Sequence, residues 1–172
     1  MESAPAFEDK NHFASFKLGE HAYALDLPLM VEIVGAVPVE KSAGDSDLYG
    51  HFFRKEKKIP VVDLRKIFGI PQVEMPVQNF MVVVSQPGRE GASVALWVDS
   101  VLAFLEISLE NLEKTNELLS PVAPKFLKGQ ARLNGQIFYL LELEEVLRNF
   151  SSAESPNLGD TRQSPRSALI TG

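Results

Sequence analysis

Two stretches of the chain share one layout, and this internal repeat constrains the fold more than any other feature. They are residues 49–68 and residues 128–147, and in each a turn leads into an apolar strand and then a short helical segment. The matching positions, separated by a constant step of 79 residues, are Gly50 with Gly129, Asp63 with Glu142, Leu64 with Leu143, and Ile67 with Val146. A unit used twice predicts a folded core with internal symmetry. It favours a binding module over a catalytic domain.

Composition excludes several classes of protein. With 172 residues, of which 45% are apolar and 23% charged, the chain has the make-up of a soluble globular domain with a proper core. Its net charge of −6 argues against general nucleic-acid binding, which needs Lys and Arg against phosphate. There is no cysteine, so disulfides, thiolate metal sites and cysteine nucleophiles are excluded.

The expected location is the cytoplasm. The first residues contain neither a basic region nor an apolar run, so they do not form a signal peptide. The longest apolar runs, around 80–84 and 94–98, are far too short to cross a bilayer, so no membrane insertion is predicted.

The order of elements predicts a mainly β fold. Residues 1–11 are expected to be a flexible N-terminus, residues 12–150 a single domain of two intertwined halves, and residues 151–172 a disordered tail. Short strands alternate with turns about every ten residues, and helices are few and brief. This pattern favours two small β-barrels or a double sheet over a βαβ fold.

Several local predictions can be compared with the structure. Residues 80–84 are apolar on both faces, as in a fully buried strand, and the second half of the repeat is expected to begin there. The remaining elements predicted are a helical turn over 29–33, a strand over 34–39, a helix capped by Ser108 and running to Thr115, a hairpin turn at Asn134-Gly135, and a closing helix over 142–150.

Catalytic and metal-binding patterns are scarce. The three histidines, at 12, 21 and 51, share no ligand spacing, so neither a metal nor a cofactor is predicted. Four carboxylates stand at strand ends: Asp26, Asp63, Asp99 and Glu142. Either they cap the helical turns that follow, or two of them form a catalytic acid pair. Because they recur in both halves, we interpret them as caps and predict no enzyme activity.

The densest basic cluster, residues 54–58, begins with Arg54 and Lys55. It is either a solvated hairpin tip or a contact for an acidic partner, with Phe52 and Phe53 as apolar anchors beside it. Side chains alternate along a strand, so only one of these two aromatic residues can face the core. The other is expected to be exposed or covered by a partner.

The assembled pattern resembles the CheW family of bacterial chemotaxis adaptors over about residues 13–150. Each motif is weak alone, but their order and spacing are specific. The residues that carry the resemblance are Phe16-Lys17-Leu18-Gly19-Glu20 with Tyr23 to Asp26, Val31-Glu32-Ile33, Gly50 ten residues before Pro60, Ile59-Pro60-Val61-Val62-Asp63-Leu64-Arg65, Leu96-Trp97-Val98-Asp99-Ser100-Val101, and Leu127-Lys128-Gly129 with Leu140 to Leu147.

The resemblance implies a fold and a role. The fold is two SH3-like, five-stranded β-barrel subdomains with short helices. The role is that of a non-catalytic adaptor that joins the cytoplasmic tip of chemoreceptors to the regulatory domain of a histidine kinase. On the same basis, Met30 and Glu32 fall on the partner-binding segment, and Val98 and Val101 line the groove between the barrels. Read without the resemblance, the three apolar residues are core and Glu32 is a surface acid.

One motif differs from the family pattern. The family has Asn-Leu-Arg-Gly at the hairpin tip, and its arginine contributes to the receptor-facing surface, whereas this chain has Phe53-Arg54-Lys55-Glu56. Counted back from Pro60 without gaps, Lys55 takes the arginine position and Glu56 replaces the glycine; if the register slips by one residue, Arg54 takes the arginine position. Since a left-handed backbone is costly without glycine, the tip is expected to have a different shape.

Two other functions remain as alternatives at this point. One is a small-molecule sensor or enzyme that uses the cleft between the two halves. The other is a degenerate CheW-like regulator that no longer couples receptors to a kinase.

Overall fold

The computed structural model describes residues 10–43, 47–148 and 150. The predicted tail and residues 1–9 of the predicted flexible N-terminus lie outside this part. The first strand already begins at Lys10, ahead of the predicted start at His12.

Strands account for most of the described chain. They are β1 (Lys10–Leu18), β2 (His21–Asp26), β3 (Met30–Gly35), β4 (Glu40–Lys41), β5 (Leu48–Arg54), β6 (Lys57–Val62), β7 (Phe80–Ser85), β8 (Ser93–Val98), β9 (Ser100–Ser108), β10 (Leu112–Glu113), β11 (Leu127–Leu133) and β12 (Gln136–Leu141). The helices are α1 (Leu64–Phe68) and α2 (Leu143–Val146), with single 3-10 turns at Leu27–Leu29, Leu109–Asn111 and Pro124–Phe126.

These strands form two six-stranded sheets. The central sheet has the order β3-β7-β8-β6-β5-β4, and the terminal sheet has the order β9-β1-β2-β12-β11-β10. Adding six to every strand number, and continuing from β12 to β1, converts the first order into the second. The mainly β fold with two related halves is therefore confirmed, and in each sheet the sixth strand is only two residues long.

The two sheets interlock because each one combines strands from the first six and from the last six along the chain. The hairpin β1–β2 joins β12 by parallel pairing, with Tyr23 opposite Tyr139. The hairpin β7–β8 joins β6 in the same way, with Val61 opposite Ala95. The prediction that a second structural half begins at Phe80 is wrong, because β7 belongs to the central sheet.

The side chains pack into three cores. One fills the inside of the central sheet and includes Val34, Phe52 and Trp97, and a smaller one fills the inside of the terminal sheet. The largest lies between the sheets. Strand β7 contributes to two of them, because Val82 faces the core between the sheets and Met81 faces the central one. The prediction of a strand buried on both faces is confirmed.

The repeated glycines have a steric cause. Gly50 lies at a bulge in β5, and a Cβ atom there would be 2.1 Å from the backbone oxygen of Glu40 in the short strand β4. Gly129 lies at the matching bulge in β11, where a Cβ atom would be 2.9 Å from the backbone oxygen of Glu113 in β10. In both copies glycine lets a two-residue edge strand approach closely.

Several local predictions are corrected. The first helical turn occupies Leu27–Leu29 rather than 29–33, and β3 ends at Gly35 instead of continuing to Val39. Ala36 has a φ of 56°, which breaks the strand, and the Asn79 side chain then holds both backbone groups of Val37. The helix expected after Ser108 is one 3-10 turn, and Ser108 makes no side-chain capping bond.

The carboxylates differ in their roles. Asp63 caps α1 by accepting a hydrogen bond from the backbone N–H of Arg65 at 3.1 Å, as predicted. Glu142 precedes α2 but makes no side-chain capping bond. Asp26 and Asp99 form ion pairs with Lys128 and Arg65 instead. The capping interpretation therefore applies to Asp63 alone.

Candidate partner-binding surface

The tip of the β5–β6 hairpin is a two-residue turn. Arg54 pairs with Lys57, which leaves Lys55 and Glu56 to reverse the chain. Both have positive φ, 54° and 66°, as in a type I′ turn. The left-handed backbone that the missing glycine was expected to disfavour is therefore present at this tip. Strand pairing on both sides fixes the loop at two residues, and such a loop needs left-handed residues whatever their side chains.

An ion pair joins the tip to the edge strand β3. The Arg54 guanidinium donates two hydrogen bonds to the Glu32 carboxylate, each 3.0 Å long. Three strands separate β3 from β5 in the sheet order, so the central sheet must curl for these side chains to meet. Each lies two residues from a core residue of the same strand, Val34 or Phe52. The pair therefore closes one end of the curled sheet.

This pair affects the ionisation of both groups. The hydrogen bonds from Arg54 lower the pKa of Glu32 below its usual value, and Glu32 raises the pKa of Arg54. Glu32 is therefore charged throughout the physiological range, and the pair persists there.

Phe53 is the exposed apolar group of the hairpin. Its side chain is 63% exposed, whereas Phe52 is 2% exposed, so the prediction that only one of them faces the core is confirmed. The His51 ring meets the Phe53 ring edge to face at 5.5 Å between centroids, and His51 Nε2 lies 3.1 Å from Glu40 Oε1. Val31, unpaired at the bulge of β3, is a second exposed apolar residue at 53%.

The other predicted site residues lie deeper. Met30 and Val101 are half-buried and pack against the core between the sheets. Val98 is 1% exposed and belongs to that core. Val98 and Phe52 were predicted as contact residues, but the structure buries both, because their strands turn these side chains inward.

Sequence reasoning missed an ionic junction between the two sheets. Asp99, between β8 and β9, accepts hydrogen bonds from Arg65 at 2.8 and 3.0 Å and from the backbone N–H of Gly19 at 2.8 Å. Burial alone would raise the pKa of Asp99, but these hydrogen bonds outweigh it and lower the pKa. The repeat gave no signal for this pair, because the position that matches Arg65 is Glu144.

A cleft of about 360 Å³ lies between the two halves. It runs from the β1–β2 turn to the segment after α1, and its lining includes Tyr23, Arg65 and Ile70. Burial, and then the neighbouring Tyr139, raises the pKa of Tyr23 to about 12, so this phenol stays neutral. Arg65 is already bound to Asp99. In the described part of the chain, no group of three or more His, Cys, Asp or Glu residues is placed to hold a metal ion.

The helices in the described ranges are all too short or too polar to cross a membrane.

Comparison with known proteins identifies similar chains. The model of the CheW-like domain matches residues 12–151. The chain is 28% identical over 143 residues to the chemotaxis protein CheW of Thermotoga maritima, which covers 81% of this chain and 89% of that protein. It is 26% identical over 147 residues to the chemotaxis protein CheW of Klebsiella aerogenes, with 85% and 87% covered. The crystal structure of the scaffolding protein TtCheW from Thermoanaerobacter tengcongensis superposes with a TM-score of 0.69 at 24% identity, over 80% of this chain and 87% of that one.

Proposed function

The chain belongs to the CheW-like domain family, and from this membership we propose that it is a non-catalytic adaptor of a chemotaxis-type pathway. It joins the cytoplasmic tip of a chemoreceptor to the regulatory domain of a histidine kinase. It acts in the cytoplasm, where both of these partners present their signalling domains.

The contact between Glu32 and Arg54 carries this proposal. These residues are 22 positions apart, and both were expected on the partner-binding surface from sequence alone. Their two hydrogen bonds bring the β3 segment and the hairpin tip together at one end of the central sheet. Exposed Phe53 follows the adjacent core residue of the hairpin, and an exposed aromatic residue beside fixed charges is typical of an interface centre.

The surface residues have different roles in this proposal. Phe53 is the apolar anchor, Lys55 meets acidic groups of the partner, and the Glu32–Arg54 pair keeps the two segments in register. Met30 and Val101 extend the contact along the half-buried groove between the sheets. Val98 and Phe52 hold these residues in place from the core.

Binding measurements with a matched variant test the proposal. The full chain is titrated by calorimetry with the kinase regulatory domain and with a receptor signalling fragment. The Phe53→Arg variant places at the tip the residue that stands at the matching position of the terminal sheet, Arg132. We expect micromolar or tighter binding for the natural chain and a loss of at least tenfold for Phe53→Arg. Because Arg132 is exposed on the other sheet, Arg132→Ala is the control and should bind normally.

Two results would contradict the proposal. One is the absence of binding to both proteins at micromolar concentration. The other is an equal effect of the two variants, which would remove the central hairpin tip from the interface. Binding of the kinase domain without the receptor would support the alternative of a regulator that has lost receptor coupling.

A further inference from the structure

The cleft between the two halves has a mostly apolar lining. Leu18 and Tyr23 come from the β1–β2 hairpin of the terminal sheet, Ile70 and Val73 from the connector after α1, and Pro121 from the segment between β10 and β11. The volume of about 360 Å³ falls at the lower end of the range found for small-molecule sites. The cleft is therefore large enough to hold a small molecule.

The charged groups of the lining do not favour an ionic ligand. Arg65 is its permanent cation, and both terminal nitrogens of Arg65 already donate hydrogen bonds to Asp99, at 2.8 and 3.0 Å. Glu20 is exposed at the rim, where water and salt screen its charge. A charged ligand would lose hydration against the apolar lining without gaining a close partner of opposite charge. The cleft therefore favours an uncharged molecule.

Tyr23 gives this lining a buried polar group. The residue is 1% exposed, and its ring packs against the rings of Phe16, Phe68 and Tyr139, with centroids 5.9, 5.6 and 6.0 Å away. Within the described part of the chain, Tyr23 makes these ring contacts only, and no residue there forms a hydrogen bond with its hydroxyl group. The raised pKa of about 12 keeps the proton on the oxygen, so the hydroxyl remains a donor. A buried donor without a partner is costly, and an acceptor brought by a ligand removes that cost.

We infer that this cleft is a binding site for a small, uncharged and largely apolar molecule that carries a hydrogen-bond acceptor such as a carbonyl oxygen. The acceptor takes a hydrogen bond from the Tyr23 hydroxyl, and the apolar body of the molecule packs against the rest of the lining. None of the residues assigned to the partner-binding surface belongs to this lining, so the site is separate from that surface. The inference goes beyond the proposed adaptor function and does not depend on it.

Two probes of nearly equal shape test the inference by NMR titration of the full chain. Acetophenone has an aromatic ring and a carbonyl oxygen, whereas isopropenylbenzene has a CH2 group in place of that oxygen. We expect both probes, at millimolar concentration, to shift the amide signals of cleft residues such as Gly19, Glu20 and Val73. Benzoate, which has a similar size but carries a charge, should shift these signals less.

Three variants show whether the probes occupy the cleft. Tyr23→Phe removes the hydroxyl, so it should weaken acetophenone binding about fivefold and leave isopropenylbenzene binding within about twofold. Because that hydroxyl has no partner among the described residues, this variant should melt no lower than the natural chain. Val73→Arg places a charge in the lining and should weaken both probes at least tenfold. Val77→Arg makes the same change at a 92% exposed residue of the same connector, outside the cleft, and should bind both probes normally.

Each outcome decides the inference. It is overturned if neither probe shifts the cleft signals of the natural chain, or if Val73→Arg and Val77→Arg have equal effects. Equal weakening of both probes by Tyr23→Phe, or a lower melting temperature of that variant, would show that the fold uses the hydroxyl and that a ligand does not. Selective loss of acetophenone binding in a Tyr23→Phe chain of unchanged stability supports the inference. None of these results depends on the kinase domain or the receptor fragment, so the proposed function is tested separately.

Discussion

Asp99 lies where the chain passes from the central sheet to the terminal sheet, and its carboxylate holds three segments together. It accepts hydrogen bonds from the guanidinium of Arg65, in the helix α1 that follows β6, and from the backbone N–H of Gly19 in the β1–β2 turn. The Arg65 side chain is only 9% exposed, and Asp99 is the carboxylate that binds it directly, while Asp63 adds a weaker electrostatic contribution. Breaking a pair of this kind costs more than removing both charges together.

The Asp99→Asn substitution should therefore destabilise the fold. It keeps the size of the side chain but removes the carboxylate that binds the Arg65 guanidinium, and we expect a loss of about 1–2 kcal/mol in the free energy of unfolding at pH 7, because Asp99 is itself 32% exposed and Asp63 still acts on Arg65. Urea denaturation measures this loss. The control is Glu145→Gln, which breaks a pair with Arg148 that solvent screens, and it should cost much less. Equal losses in the two variants would contradict the prediction.

The same residue predicts a dependence on pH. The folded-state pKa of Asp99 lies below that of an unfolded aspartate, which is about 3.9. Its contribution to stability is therefore complete above that value and is lost as the pH falls through the lower, folded-state pKa. The difference in unfolding free energy between Asp99→Asn and the natural chain should shrink in denaturation curves measured below about pH 4. A difference that is the same at pH 3 and pH 7 would count against the ion pair.

Single residues were predictable where one short-range rule decides. Alternation along β5 placed one phenylalanine inside and the other outside, and the structure agrees. The Arg65–Asp99 pair was not predictable, because its members are 34 residues apart and the repeat puts Glu144 at the position that matches Arg65. The Lys55–Glu56 turn was judged by residue preference, whereas the strand pairing on either side decides its conformation.

At the scale of elements, the two short edge strands depend on glycine. We expect Gly50→Ala to displace β4, because the new methyl group would lie 2.1 Å from the backbone oxygen of Glu40, and backbone moves less readily than a side chain. The loss in unfolding free energy should be about 2–3 kcal/mol by thermal or urea denaturation. Gly129→Ala should also destabilise the fold, because the new methyl group would lie 2.9 Å from the backbone oxygen of Glu113 and because Gly129 has a φ of 153°, at which any side chain is strained. A Gly50→Ala chain as stable as the natural one would show that steric contact with the edge strand is not what requires glycine there.

Elements with a strong periodic pattern were predicted well, and short connections were not. The two-sided apolar pattern of residues 80–84 identified β7 as a buried strand. By contrast, β3 stops at Gly35 because Asn79 holds the following backbone, and this residue is more than forty positions away in sequence. The helix expected after Ser108 shrinks to one turn because β10 pairs with β11 directly afterwards.

At the scale of the whole molecule, the interlocked sheets predict that neither half folds alone. A fragment ending at residue 71 contains β1 to β6, but β1–β2 would lack β9 and β12, and β6 would lack β8. We expect this fragment and its complement from residue 72 to give poorly dispersed NMR spectra separately. When mixed, they should give the spectrum of the native fold. A well-dispersed spectrum from either fragment alone would contradict this prediction.

A cut made after folding shows whether the two pieces stay associated once the sheets have formed. A protease site placed in the exposed connector at residues 72–74 and cut after folding should leave the two pieces associated, because the strand pairs across the cut remain.

The duplication could be predicted from the 79-residue step, and so could the presence of two β halves. The exchange of hairpins could not, because a repeated pattern indicates that two units are alike but not which strands pair with which.

The arrangement of strands also determines the order in which the chain can fold as the ribosome releases it. All six strands of the central sheet lie between Met30 and Val98, so this sheet has all its partners before the last third of the chain emerges. The terminal sheet contains β1 and β2, which precede the central sheet in the chain, yet it waits for β12, which ends at Leu141. During that interval the apolar faces of β1 and β2 lack most of their neighbours. The sheet that contains β1 and β2 is thus completed after the central sheet, and its unpaired strands need protection from aggregation during that interval.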